Sequence, residues 1–173
     1  DKVNIIGHSM GGKVAMKMCM LHPGIVNKMI ITDISPKEYP RHHDDVLKVL
    51  QQAPLSTFGN RKEAEEFMFK QLKDSGVAQF LLKNLYRTET ETFAWRFNLE
   101  VISANYAEVS KGVSGKTVSN PVLFLRGEKS PYIRDEDFES AKKLFPNSKL
   151  ETIAGSGHWI HAEKPEEFYQ AVI

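Results

Sequence analysis

Short apolar runs alternate along this chain with longer stretches in which apolar residues recur at helical spacing. The runs are too short for helices and begin near Val3, Lys28, Pro121 and Lys149; the first contains the β-branched residues Val3, Ile5 and Ile6. Between the first two runs, apolar positions from Val14 to Cys19 recur at helical spacing. Strands that alternate with helices predict right-handed βαβ units and a parallel sheet, so we expect an α/β fold.

The middle of the chain has a different pattern, with helical segments and polar interruptions from about Pro36 to Asn120. We predict helices over 43–53, over a segment that begins at Asn60 and ends near Gly76, and over 77–85. The run 93–99 alternates with period two before a further helix. We therefore expect a core made of residues 1–36 and 119–173, and a helical cap or lid inserted at 37–118.

Two further helices are predicted near the C-terminus. One spans Asp135 to Phe145 with Asp135 as N-cap, and the other opens at Pro165, where proline is tolerated in the first turn. The chain starts at Asp1, almost directly on a strand, and its last helical pattern stops at Ile173 without a capping signal. We interpret it as the C-terminal portion of a longer protein.

Composition excludes several partners. The 173 residues are 41% hydrophobic and 26% charged, and 23 Lys and Arg residues against 22 Asp and Glu leave a net charge of +1. That balance gives no field to attract nucleic acid. No apolar run is long enough for stable membrane insertion, and the single Cys19 indicates a buried thiol in a reducing compartment. We expect an intracellular protein; its oligomeric state stays open.

The first strand runs into Gly7-His8-Ser9-Met10-Gly11, which fits the G-x-S-x-G nucleophile elbow. A serine at the tip of such a turn takes an unfavourable backbone angle, and we expect Gly7 and Gly11 to remove Cβ atoms that would collide there. Gly12 should let the following helix pack close to the sheet. Ser9 is therefore the candidate nucleophile, and the pattern predicts nucleophilic catalysis.

A serine hydroxyl needs a base, and His158 is the best candidate because its glycine-flanked loop follows the last predicted strand. That position brings it to the sheet edge where Ser9 lies. The other histidines have weaker claims: His8 is expected to point into neighbouring strands, and His161 to support the loop. None of them has metal-ligand spacing with Cys, Asp or Glu, so we expect no metal.

Three acids compete to orient that base. Asp33 ends the strand after the elbow helix and therefore shares the sheet edge with Ser9 and the histidine loop. Asp135 is the alternative acid, although helix capping already explains it, and Glu128 ranks third. We favour Asp33.

Four segments, GHSMGGK from Gly7, DISP from Asp33, WRFNL from Trp95 and GHWIHAE from Gly157, together resemble the YbfF-type esterases of the α/β-hydrolase superfamily. That group also contains the mitochondrial abhydrolase domain-containing protein eleven, so the resemblance implies the cytoplasm or the mitochondrial matrix. The resemblance spans essentially the whole chain. It implies a cofactor-free serine esterase or thioesterase acting on short acyl groups, with a helical cap, Ser9 as nucleophile, His158 as base and Asp33 as acid.

Two departures from the superfamily pattern stand out. Many α/β hydrolases carry the acid in a G-x-x-D segment after the seventh strand, but here Ser130 takes the final place of Gly127-Glu128-Lys129-Ser130. An oxyanion hole also needs two backbone donors, of which only Met10 lies in this sequence. Loss of one donor costs on the order of a hundred- to a thousandfold in rate, so these 173 residues alone should be a poor catalyst.

Alternatives to an ester hydrolase remain open. A hydrolase fold can serve as a binding or assembly subunit without turnover, and related enzymes with the same triad cleave carbon-carbon bonds or perform perhydrolysis. The small-molecule acyl substrate and its chain length are not determined by the residues of the insertion.

Overall fold

The computed structural model describes all residues from Asp1 to Ile173 and divides the chain into two compact units. The first unit combines residues 1–39 with 111–173, and the second comprises residues 40–110. The predicted insertion, 37–118, is wider than the second unit at both ends. The difference arises because Tyr39, Val113 and Val118 belong to the hydrophobic core of the first unit.

Six strands and nine helices make up the two units. The strands are β1 (Val3–His8), β2 (Val26–Thr32), β3 (Leu85–Arg87), β4 (Phe93–Trp95), β5 (Val122–Gly127) and β6 (Ser148–Ile153). The helices are α1 (Met10–Leu21), α2 (Asp44–Gln52), α3 (Arg61–Gln71), α4 (Ser75–Leu82), α5 (Leu99–Ala104), α6 (Tyr106–Ser110), α7 (Asp135–Lys142), α8 (Ile160–Glu163) and α9 (Pro165–Val172).

The first unit is built on a four-stranded parallel sheet in the order β1-β2-β5-β6. Residues of α1 and α7 share one hydrophobic cluster with β2 and β5, whereas residues of α8 and α9 share another with β2, β5 and β6. Alternate side chains of β2 enter different clusters: Ile31 lies with α1 and Ile30 with Ile160 of α8. Helices thus cover both faces, and the α/β architecture expected from the sequence is confirmed.

The register of the sheet sets the position of the later site. His8, the last residue of β1, is paired with Thr32, the last residue of β2, and β5 and β6 end together at Gly127 and Ile153. In a parallel sheet the loops after these strands emerge at one edge. Residues 9, 33, 128–132 and 154–159 therefore all begin at the carboxyl edge of the sheet.

The second unit contains α2 to α6 and the antiparallel pair β3-β4. Its core includes Leu50, Met68, Leu82 and Phe93. Asn60 caps α3 as predicted: its side chain accepts a hydrogen bond from the Glu63 backbone N–H at 3.2 Å. The Glu63 carboxylate accepts in turn from Asn60 Nδ2 at 2.8 Å.

Several local predictions were wrong. Gly76 does not end α3 but lies in the first turn of α4, because Asp74 caps that helix by accepting from the backbone N–H of Gly76 and Val77. Leu85 is in a strand that the apolar spacing did not reveal. Asp135 is the first residue of α7 rather than its N-cap, which is Arg134.

Lys13 of α1 carries a charged side chain and yet is only 9% exposed. Its Nζ donates to the backbone carbonyl of Lys111 at 2.7 Å and lies 4.9 Å from the centre of the Tyr39 ring. Burial lowers the pKa of Lys13. The contact joins α1 to the point where the chain returns to the first unit, and Lys17 adds a bond to the Ser114 carbonyl.

The glycines around Ser9 differ in what they permit. A Cβ on Gly7 would lie 2.4 Å from the Gly11 carbonyl oxygen, and one on Gly12 would lie 2.5 Å from Ile34 Cγ2. A Cβ on Gly11 would meet nothing within 4 Å. Gly7 and Gly12 thus allow close backbone approach as predicted, whereas the same expectation for Gly11 was wrong.

Gly7→Ala should therefore destabilise the protein by about 2–3 kcal/mol, because the methyl group collides with backbone that has no room to yield. Gly11→Ala is the matched control and should change the free energy of unfolding by less than about 1 kcal/mol, since alanine is favoured in a helix. Urea unfolding of the full-length protein, wild type beside both variants, measures the difference. Equal stability of the two variants would contradict this account of the elbow.

No helix of the chain combines the length and the apolar character that a membrane-spanning helix needs.

Candidate functional site

Ser9 lies in the sharp turn between β1 and α1. Its backbone has φ 54° and ψ −123°, a conformation that costs a non-glycine residue on the order of 1–3 kcal/mol. Its backbone N–H donates to the Thr32 carbonyl at 3.0 Å, and its own carbonyl accepts from the Gly12 N–H at 2.8 Å. The elbow is therefore held by both the neighbouring strand and the helix, with the serine at its tip.

Asp33 and His158 meet at the same edge. Asp33 Oδ2 lies 2.7 Å from His158 Nδ1, and the Asp33 side chain is fully buried. Asp33 also has positive φ, 51°, which turns the chain sharply at the end of β2. A carboxylate on Nδ1 holds the hydrogen there, so His158 Nε2 carries the lone pair that can accept a proton.

Two donors besides His158 hold the Asp33 carboxylate. The Gly127 backbone N–H donates to Oδ1 at 3.2 Å, and the Ser130 hydroxyl donates to Oδ2 in a short hydrogen bond. A buried charge is costly unless its lone pairs are satisfied. These donors therefore fix the carboxylate as an acceptor from His158.

Ser130 is a residue whose contact the sequence did not predict. It occupies the last place of the G-x-x-D-like segment, where the pattern was interpreted only as lacking an acid. In the structure its hydroxyl binds the acid that follows a different strand. The departure from the pattern was itself the signal that could have identified it.

Tyr132 packs on the base. Its ring and that of His158 are stacked with centroids 4.2 Å apart and an interplanar angle of 22°. The Tyr132 carbonyl accepts a hydrogen bond from the Tyr39 hydroxyl at 2.6 Å, and the same hydroxyl accepts from the Ser35 N–H at 2.9 Å. Burial raises the pKa of Tyr39 to about 12, so this anchor stays protonated at ordinary pH.

The other candidate acids lie elsewhere. Asp135 pairs with Arg126, Nη1 to Oδ1 at 2.7 Å, and its side chain is 84% exposed. Glu128 accepts from the Gly155 N–H at 2.7 Å and thereby ties the loop after β5 to the loop that carries His158. Of the three acids, only Asp33 has a hydrogen bond to His158.

Met10 is the first residue of α1, so its backbone N–H belongs to the turn whose donors have no partner within the helix. The helix dipole places partial positive charge at the same point. The arrangement can receive a developing negative charge next to Ser9. No group of three or more His, Cys, Asp and Glu side chains is placed to hold a metal ion.

Comparison with known proteins identifies the family of this chain. A family profile described as alpha/beta hydrolase fold matches residues 1–165. The esterase YbfF of Escherichia coli is 35% identical over 99% of this chain and 66% of its own length. The sn-1-specific diacylglycerol lipase ABHD11 of Xenopus laevis is 37% identical over 97% of this chain and 56% of its own length. Both groups named by the sequence motifs are thus among the relatives.

One solved structure is very similar. A marine microorganism esterase superposes with a TM-score of 0.94 at 38% identity, covering 99% of this chain and 69% of that one. The chain spans between 56% and 66% of the length of the two curated relatives.

Proposed function

Because this chain belongs to the α/β-hydrolase family, we propose that it carries the catalytic residues of a serine hydrolase that cleaves carboxylic esters or thioesters of short acyl groups. The observation that carries the proposal is the 2.7 Å contact of buried Asp33 with His158 Nδ1, beside a serine in a strained turn. The names of the relatives, an esterase and a lipase, support the same reaction class.

The proposed route uses these groups in two steps. His158 Nε2 takes the proton of the Ser9 hydroxyl as Oγ attacks the acyl carbonyl, and it then gives that proton to the leaving alcohol or thiol. Water, deprotonated by the same nitrogen, then attacks the acyl carbonyl of the acyl-enzyme. The bond between the acyl carbon and Ser9 Oγ breaks, the carboxylic acid leaves, and His158 returns the proton to Oγ. Asp33 keeps the proton on Nδ1 and stabilises the imidazolium that forms in each step.

The oxyanion of each tetrahedral intermediate is assigned to the Met10 backbone N–H. An oxyanion hole of this type also uses a second backbone N–H, from a loop other than the elbow. Protein groups and water suffice for every step of this route.

A fluorophosphonate probe tests the proposal directly. It should label the full-length protein on the peptide that contains Ser9, and p-nitrophenyl acetate and butyrate should be hydrolysed faster than the octanoate. Label found by mass spectrometry on another residue, or absent altogether, would overturn the proposal and favour the alternative of a binding or assembly subunit without turnover. A preference for long chains would overturn only the acyl length.

A further inference from the structure

His8 is the last residue of β1, and its side chain has a specific partner in the loop that carries His158. Its Nε2 is 2.9 Å from the backbone carbonyl oxygen of His158. Its ring lies within 4.7–5.3 Å of the rings of His158, Trp159 and His161, measured between centroids. A carbonyl can only accept, so the hydrogen bond requires a proton on His8 Nε2.

This contact joins the two segments that the proposed chemistry must align. His8 directly precedes Ser9, and the two partners of the bond are 150 positions apart in the sequence. The Ser9 backbone N–H already donates to the carbonyl of Thr32. Asp33, which follows Thr32 in the chain, makes a hydrogen bond to the His158 ring. The loop that carries His158 is therefore held by Asp33 on the ring, by Glu128 at the Gly155 N–H and by His8 on the His158 backbone.

The charge state of His8 fits such a role. Burial is the largest influence on the pKa of His8 and lowers it, and the neighbouring rings of His158 and His161 lower it further. The hydrogen bond to the His158 carbonyl and the charge of Asp33 raise the pKa, but the net effect is a lowered value. At neutral pH His8 is then an uncharged donor. A positive charge at this distance from His158 would oppose the imidazolium that has to form during catalysis.

We propose that His8 is a positioning residue, which sets the distance between Ser9 Oγ and His158 Nε2 by its hydrogen bond to the His158 carbonyl. The inference rests on the proposed function, because it concerns the alignment of the same nucleophile and base. Without the donor, the loop keeps its side-chain anchors at Asp33 and Glu128 but loses its direct hydrogen bond to the elbow. Reaction geometry is sensitive at this scale, since a misplacement of about 1 Å can cost on the order of a hundredfold in rate.

Three substitutions separate positioning from simple packing. His8→Gln retains an N–H donor with a reach similar to that of histidine Nε2, His8→Asn has a donor of shorter reach, and His8→Phe keeps a ring without a donor. In the full-length protein, Phe and Asn should lower kcat for p-nitrophenyl butyrate by roughly 10- to 100-fold, with KM within about twofold of wild type. Gln should recover most of kcat.

Titration with the fluorophosphonate probe counts the reactive serines in each preparation, so that kcat can be calculated per reactive serine. Thermal melting measures the stability of each variant separately. Equal kcat values for Gln, Asn and Phe would overturn the inference, as would values that follow Tm alone. If Phe does not fold, the contrast between Gln and Asn decides, because both are polar and differ in reach. Failure of wild type to label at Ser9 marks failure of the proposed function, whereas a labelled wild type with fully active Asn and Phe variants marks failure of the positioning role only.

Discussion

Ser9→Ala is expected to reduce ester hydrolysis by the full-length protein by about 10⁶-fold in kcat, the scale seen when a triad nucleophile is removed. No other hydroxyl is held at the tip of the elbow, where φ is 54° and the first turn of α1 begins. Alanine also removes the group that forms the acyl-enzyme, so the burst of product in the first turnover should disappear. Stopped-flow measurement with p-nitrophenyl acetate gives both quantities.

The fold itself should tolerate this change. Alanine is smaller than serine and the elbow is anchored by backbone bonds, so Tm should differ by only a few degrees. Ser35→Ala is not a suitable control, because that hydroxyl contacts Tyr39 in the core. Ser140→Ala is a suitable control, because the Ser140 side chain lies on the exposed surface of α7. This substitution should leave kcat unchanged. Residual activity above about 1% in Ser9→Ala would exclude Ser9 as the nucleophile.

Asp33→Asn should lower kcat by about 10⁴-fold with little change in KM, the effect observed when a triad acid becomes an amide. The amide can still accept from the Gly127 N–H or the Ser130 hydroxyl through its oxygen, so the local fold has partners to keep. It cannot act as a carboxylate toward His158 Nδ1, which then loses both its fixed tautomer and the stabilisation of its charged form. Steady-state kinetics on a p-nitrophenyl ester measures the loss.

Asp135→Asn is the matched control for the acid. The substitution weakens the ion pair between Asp135 and Arg126, in which the Asp135 side chain is 84% exposed. Exposed ion pairs of this kind contribute roughly 0–1 kcal/mol to the free energy of unfolding. Activity should stay within about twofold of wild type. An outcome with the two variants reversed would assign the acid to Asp135, and full activity in both would exclude the proposed triad.

The local pattern of the chain was sufficient for most elements of the first unit. Short apolar runs between helical stretches predicted the four strands of the first unit, and Pro165 predicted the start of α9. The second unit was harder, since β3 and β4 are only three residues each and an apolar run of that length has no distinguishable period. Gly76 was predicted to end a helix, but Asp74, two residues earlier, starts the next one. The Asp74 carboxylate accepts from the backbone N–H of Gly76 and of Val77 and thereby caps α4.

By itself, the sequence determined the elbow at Ser9, the loop at His158 and the preference for Asp33. Each of these follows from a few neighbouring residues at the end of a predicted strand. Only the tertiary structure decided which acid touches the base, and it brought Ser130, Tyr132 and His8 to the same place. Those contacts join residues more than 90 positions apart, or rings on separate loops. Which residues meet depends on the register of the strands and the path of the loops, and both are set only when the sheet assembles. The spacing of apolar and polar residues along the chain therefore does not predict these contacts.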